Sequence, residues 1–173
     1  AALQNLPMVL ALDRAGLVGE DGPTHHGIFD VSFLNQIPGF TVYSPESYQE
    51  LSSCLEEALS LPSPSAVRYP RGKERLADEK PAMEDGTLAV YDYGTSPKVV
   101  FFTYGRLSAY VREAASLLAQ KGIPARVVRL IRIKPLEVAR LAELAGGAEL
   151  LYFAEEGIRR GGVGEFLVSA MAE

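Results

Sequence analysis

The sequence holds one cysteine, two histidines and no tryptophan. A lone Cys54 cannot close an internal disulfide and excludes a cysteine-built zinc cluster, and it points weakly to a reducing compartment. Basic residues are in deficit: 17 Lys and Arg face 22 Asp and Glu, leaving a formal charge of −5. Such a chain offers no basic footprint for a nucleic-acid backbone. Long apolar runs are missing as well. Stretches such as residues 99–103 fall far short of the ~20 residues that span a bilayer, and no secretory or lipidation pattern is read. The expectation is a cytoplasmic protein that binds neither nucleic acid nor membrane.

What is present is an ordinary globular composition, 47% hydrophobic and 23% charged over 173 residues, enough for one domain or two small ones. The chain opens on Ala1 without a Met and closes inside an apparent helix, so a piece of a longer polypeptide is expected.

Apolar residues 8–12 run into the charged pair Asp13-Arg14 and a glycine-rich segment, as a buried strand entering a loop does. Residues 28–37 predict a short helix closed by Pro38-Gly39, and residues 40–43 a second strand. Ser47 with Glu50 forms a capping-box pattern, and Tyr48, Leu51, Leu55, Ala58 and Leu59 recur at helical spacing up to Pro62. Residues 66–69 read as a third strand. Lys, Glu, Asp, Ala and Pro dominate residues 73–86, which predicts a linker.

Beyond it, strands are expected at 87–93, 99–104, 126–131 and 150–154, and helices at 107–121, 136–145 and 162–171. Leu107, Tyr110, Val111, Ala114, Leu117 and Leu118 trace the stripe of the first of these helices, and Tyr104 and Tyr110 are expected in the core. Strands alternating with helices on both sides of the linker predict an α/β protein of two three-layer α/β/α units with largely parallel sheets.

Ligands of open parallel sheets bind beyond the carboxyl ends of the strands. The loop after Leu12, DRAGLVGEDGPTHHG at residues 13–27, occupies that place and holds both histidines. Its four glycines let backbone approach a ligand closely. Arg14 supplies a fixed cation, Asp21 an acceptor and His25 a group that titrates near neutrality. Gly22 and Gly27 have Walker-A spacing, but Ile28-Phe29 stands where Lys and Ser/Thr would be needed. Adjacent His25 and His26 diverge, and no third ligand sits at zinc spacing. The run Gly161-Gly162-Val163-Gly164 is an incomplete dinucleotide turn that close helix packing explains equally well.

Arg71 is the second candidate. Strand alternation places Arg68 and Tyr69 on opposite faces, and Pro70 stiffens the exit toward Arg71. If both strands lie in one sheet, Arg14 and Arg71 converge at its carboxyl edge, and two guanidiniums suit a phosphate dianion. Against this stand plainer roles: a surface salt bridge for either arginine alone, a structural hydrogen bond for His26, and a structural carboxylate beside a helix for one of Glu155-Glu156.

The residues 13–27, followed by Phe29-Asp30 and by PSAVRYPRG at residues 64–72, closely resemble the 1-deoxy-D-xylulose-5-phosphate synthase family, thiamine-diphosphate enzymes of the transketolase superfamily. Residues 129–136, Glu155-Glu156-Gly157 and residues 161–164 resemble that family's carboxyl-terminal domain, so the similarity covers essentially the whole chain. It implies that residues 1–72 are the second half of a pyrimidine-binding domain, 73–86 a linker, and 87–173 a transketolase-type C-terminal domain lacking its last strand. The implied reaction joins pyruvate to D-glyceraldehyde 3-phosphate with loss of carbon dioxide, in a homodimer. Thiamine diphosphate supplies the electron sink and Mg2+ holds it, most of their binding residues being expected outside this chain. By the same resemblance Arg14 and Arg71 hold the acceptor's phosphate, Asp21 its hydroxyl and His25 the pyruvate-derived group, with Asp21 and His25 in catalytic roles and His26 in none.

Two alternatives stay open: another thiamine-diphosphate enzyme of the transketolase or 2-oxo-acid dehydrogenase beta-subunit type, and a non-catalytic oligomerisation domain.

Overall fold

A computed structural model describes residues 1–74 and 79–172. The first half runs β1 (Val9–Leu12), α1 (Asp30–Gln36), β2 (Thr41–Tyr43), α2 (Tyr48–Ser60) and β3 (Ser65–Arg68). The second runs β4 (Met83–Glu84), β5 (Leu88–Tyr93), β6 (Val99–Tyr104), α3 (Leu107–Gln120), β7 (Ala125–Leu130), β8 (Arg132–Lys134), α4 (Val138–Ala145), β9 (Leu150–Ala154) and α5 (Val163–Met171). The expected linker contains β4, and its residues 75–78 lie outside the described residues.

Two sheets form, ordered β1-β3-β2-β8 and β4-β5-β7-β6-β9. They are parallel-rich: β1/β3, β2/β3, β6/β7 and β6/β9 pair parallel, while β2/β8, β4/β5 and β5/β7 pair antiparallel. The strand expected at 126–131 forms as β7, and a further, unexpected strand, β8, follows it. β7 ends at Leu130, and β8 crosses to the first sheet, where Val42 faces Lys134.

The layers follow from strand alternation. Leu88 and Val90 of β5, Val100 and Phe102 of β6, and Val128 and Leu130 of β7 face a core shared with Val42 and Ala66 of the first sheet and with α1, α4 and α5. The alternate residues Ala89, Tyr91, Val99 and Val127 pack on Val111 and Ala115 of α3. Tyr43 and Val67 face Cys54 and Ala58 of α2. Two sheets therefore sandwich three helices, with one further helix outside each sheet. The two halves share one core.

Two helical stripes differ from expectation. On α2 the inward row is Leu51, Cys54, Leu55 and Ala58, at i, i+3, i+4 and i+7, whereas Tyr48 and Leu59 are exposed. On α3 the buried row is Ser108, Val111, Arg112 and Ala115, and Tyr110 and Leu117 face outward. Charge placement explains the second case, because the polar members of that row have partners across the halves. Arg112 Nη1 lies 2.9 Å from Glu46 Oε1, and Ser108 Oγ donates to Glu46 Oε2.

The Ser47 cap forms, with the Glu50 N–H donating to Ser47 Oγ at 3.0 Å. The Glu50 carboxylate reaches the Glu46 N–H rather than Ser47 and is gripped by both terminal nitrogens of Arg129, at 2.5 and 2.9 Å. Lys134 closes the other end of the interface. Its ammonium donates to the carbonyls of Leu34, Asn35 and Ile37 at 2.7, 3.1 and 2.5 Å, a cationic cap on the carboxyl end of α1.

Candidate functional site: a glycine-rich loop and two arginines at a sheet edge

Because β1 and β3 are parallel neighbours, their carboxyl ends leave the sheet on the same side. Arg14 follows β1 by two residues, and Arg71 follows β3 by three. Between them the ladder continues: the Tyr69 N–H donates to the Leu12 carbonyl at 2.9 Å, and the Ala15 N–H to the Tyr69 carbonyl at 3.0 Å.

The loop then closes on itself. Gly16 and Gly27 exchange two backbone hydrogen bonds, each 2.9 Å, so residues 17–26 form an excursion pinned at its base. Gly27 is required by space and Gly16 by its backbone conformation. A Cβ on Gly27 would collide with the Arg14 carbonyl, and one on Gly16, at φ +81°, would collide with the Glu156 carboxylate. Arg14 itself holds φ 57°, a left-handed turn that costs a non-glycine residue ~1 kcal/mol and turns the chain out of the strand. Inside the excursion the Val18 N–H donates to His26 Nδ1 at 2.9 Å. His26 has the structural hydrogen bond expected of it.

Arg14 and Arg71 meet at one carboxylate. Arg14 Nε donates to Asp21 Oδ2 at 2.8 Å, and Arg71 Nη1 donates to Asp21 Oδ1. Asp21 is mostly covered, while the side chains of Arg14 and Arg71 are 36% and 47% exposed, and Arg14 Nη1 also pairs with Asp13. His25 joins by another route: its Nδ1 lies 3.1 Å from the Asp21 backbone carbonyl and 3.1 Å from Thr24 Oγ1. The imidazole is exposed and hydrogen-bonds to neither arginine.

Sequence reasoning missed the anchor beneath the loop. Arg68, 2% exposed, puts Nε on Asp30 Oδ2 at 2.8 Å and Nη2 on the Gly27 carbonyl at 3.1 Å, under the ring of Tyr104 at 5.4 Å. One guanidinium thus ties strand, loop and the start of α1 together. The signal was an arginine inside a strand whose other residues are all buried, since such a charge needs a partner.

Glu155 and Glu156 diverge as adjacent residues should. Glu155 accepts from Tyr104 Oη at 2.8 Å and from the Val163 and Gly164 N–H groups at 3.2 Å, capping α5. Burial and the Glu155 carboxylate together push the Tyr104 phenol above its ordinary range, partly offset by Arg68. Glu156 instead pairs with Arg106. The Gly161–Gly164 run serves packing: a Cβ at Gly161 would strike Ser32, and one at Gly164 would strike Phe153.

Among the described residues no group of three or more His, Cys, Asp or Glu could hold a metal ion. At the sheet edge the carboxylates of Asp13 and Asp21 are already paired with Arg14 and Arg71, whose guanidiniums repel a divalent cation. The residues present therefore do not fit the magnesium-diphosphate end of thiamine diphosphate. A cavity of about 670 Å³ lies elsewhere, between α2 and the second sheet, where its two arginines are already paired with Glu46 and Glu50. No helix among the described residues is long and apolar enough to cross a membrane.

Comparison with known proteins agrees with this architecture. The transketolase pyrimidine-binding domain family matches residues 1–75, and the transketolase C-terminal domain family matches residues 91–173. The chain is 42% identical to the 1-deoxy-D-xylulose-5-phosphate synthase of Chlorobium phaeovibrioides and 39% identical to 1-deoxy-D-xylulose-5-phosphate synthase 1 of Geobacter sulfurreducens. In each case 99% of this chain is aligned, and it spans 27% of the relative's length. Among solved structures, a split-gene transketolase described as an inactive beta4 tetramer superposes with TM-score 0.83 at 25% identity, covering 98% of this chain and 55% of that one. Transketolase from Campylobacter jejuni shares the fold, with TM-score 0.73 at 21% identity over all of this chain and 32% of that one. With a glycine-rich loop at the carboxyl edge of a parallel sheet, a second α/β sheet sharing its core, and both family patterns matched in order, the chain belongs to the transketolase superfamily.

Proposed function

We propose that this chain carries the acceptor-phosphate side of a 1-deoxy-D-xylulose-5-phosphate synthase, which joins pyruvate to D-glyceraldehyde 3-phosphate and releases carbon dioxide. The observation that carries this reading is the convergence of Arg14 and Arg71 on the single carboxylate of Asp21. Two planar cations that can share one carboxylate can share one phosphate, with bidentate, charge-assisted hydrogen bonds from both. The identity to curated synthases over 99% of the chain supports the choice of reaction.

In this reading the phosphate of the aldehyde substrate binds Arg14 and Arg71, in exchange for their contacts with Asp13 and Asp21. Asp21, released from the guanidiniums, accepts from the substrate hydroxyl. His25, exposed and held at the Asp21 carbonyl by its Nδ1, would hold the pyruvate-derived group and exchange a proton with it. Thiamine diphosphate, held with magnesium by residues outside this chain, would supply the electron sink. A homodimer and a cytoplasmic location belong to the same reading.

Calorimetric titration of the purified chain tests the phosphate assignment. D-glyceraldehyde 3-phosphate and inorganic phosphate should bind, pyruvate should not compete, and Arg71→Ala should abolish the binding. In a chain of the relatives' length, Arg71→Ala should raise the KM for D-glyceraldehyde 3-phosphate much more than that for pyruvate; equal effects on both would refute the assignment. The present chain, given thiamine diphosphate, magnesium and both substrates, should release no carbon dioxide.

A further inference from the structure

Gly16 and Leu17 lie between Arg14 and Asp21, and the second half of the chain holds both of them. Arg106, at the start of α3, donates through Nη2 to the Leu17 carbonyl, 89 positions away in sequence. The same guanidinium is anchored on Glu156, with Nε 3.2 Å from Oε2 and Nη2 3.4 Å from Oε1. The Glu156 carboxylate in turn packs on Gly16, where it would meet any added Cβ. The Leu17 side chain is half exposed; it is the backbone that is gripped.

We infer that Arg106 and Glu156 are positioning residues for the phosphate site, fixing the run that separates Arg14 from Asp21. This rests on the reading of Arg14, Asp21 and Arg71 as that site. A glycine-rich excursion has much conformational freedom to lose when its residues close on a ligand. A loop held beforehand at a carbonyl midway between two ligand-binding side chains loses less on binding, and the difference appears as affinity. The Arg106–Glu156 pair is well suited to this task and poorly suited to stabilising the fold. Its side chains are 35% and 20% exposed, and surface pairs of this kind add little to stability. Through this pair the C-terminal half acts on the phosphate site without touching the substrate.

Three variants of the chain, Arg106→Gln, Glu156→Gln and Arg106→Lys, test the inference. Calorimetry with inorganic phosphate is read beside exchange of the Val18 amide by NMR and the thermal midpoint. Arg106→Gln should weaken phosphate binding about tenfold, accelerate Val18 exchange by a similar factor and leave the midpoint nearly unchanged. Glu156→Gln should follow in the same direction. Arg106→Lys, which keeps a donor for the Leu17 carbonyl, should recover part of both effects. Val18 exchange and phosphate affinity both unchanged in Arg106→Gln would overturn the inference. If the unsubstituted chain binds no phosphate, the phosphate reading fails and exchange alone decides: acceleration upholds the positioning of the loop, and its absence overturns it.

Discussion

Asp21 and Arg71 form an ion pair across 50 positions of sequence, one carboxylate oxygen on Arg71 Nη1 while the other takes Arg14 Nε at 2.8 Å. Asp21 therefore holds donors that a phosphate also needs. An anion that uses both guanidiniums fully must displace an internal competitor, and removing the competitor's charge should favour that anion. Asp21→Asn is expected to bind inorganic phosphate several-fold more tightly, about 1 kcal/mol for the loss of one charge-assisted contact. D-glyceraldehyde 3-phosphate should gain less, because the same change costs it the carboxylate acceptor for its hydroxyl. Titration of both ligands decides: if phosphate binds more weakly to Asp21→Asn, Asp21 acts as a support for the arginines rather than as their competitor.

Arg68 and Arg71 stand three residues apart and should behave oppositely. Arg71 is half exposed, so Arg71→Ala should change folding stability by only ~0.5 kcal/mol while abolishing phosphate binding. Arg68 is buried between Asp30, the Gly27 carbonyl and the Tyr104 ring. Arg68→Ala strands the mostly covered Asp30 carboxylate, a loss of about 3–5 kcal/mol for a broken buried pair. Urea denaturation of the two variants measures the contrast. A double variant, Arg68→Met with Asp30→Leu, should recover much of the lost stability. Arg68→Ala as stable as Arg71→Ala would show that Asp30 is solvated well enough to need no partner.

The convergence of Arg14 and Arg71 was legible in the sequence because its geometry is local to two strand ends. Once residues 8–12 and 66–69 read as parallel strands of one sheet, Arg14 and Arg71 had to emerge on the same edge. Arg68 was legible only as a residue on one face, because its partners come from the loop, α1, β6 and Ser44 after β2, and no spacing rule connects them. The same limit hid Arg106 and Glu156, whose contact with residues 16 and 17 spans the two halves. Periodicity misplaced Tyr110 and Leu117 for a related reason. Apolar spacing marks Tyr110 and Leu117 as inward on α3, but the inward face carries Ser108 and Arg112, made burial-compatible by Glu46 from the other half. Buried polar rows are readable only with their partners in view.

Asp85 gives a prediction about pH. Its carboxylate accepts from the Thr87 hydroxyl at 2.7 Å and from the Thr87 and Leu88 N–H groups at 3.0 and 3.2 Å, and it pairs with Arg140 at 2.5 Å. Burial alone would raise its pKa. The bonds from Thr87, Arg140 and Leu88 outweigh burial and hold the group at about 2, below the ~3.9 of a free aspartate. Between these values the unfolded chain binds more protons than the native one, so stability rises with pH across the window. The contribution is fully present above about pH 5 and fades as pH falls through 4 toward 2. Asp85→Asn should therefore lower the thermal midpoint by a few degrees at pH 6, and the gap from the unsubstituted chain should close as pH approaches 2. Thermal unfolding at pH 6, 4 and 2.5 reads this directly; a gap that stays constant across that range would show that the Asp85 charge is not what holds the turn before β5.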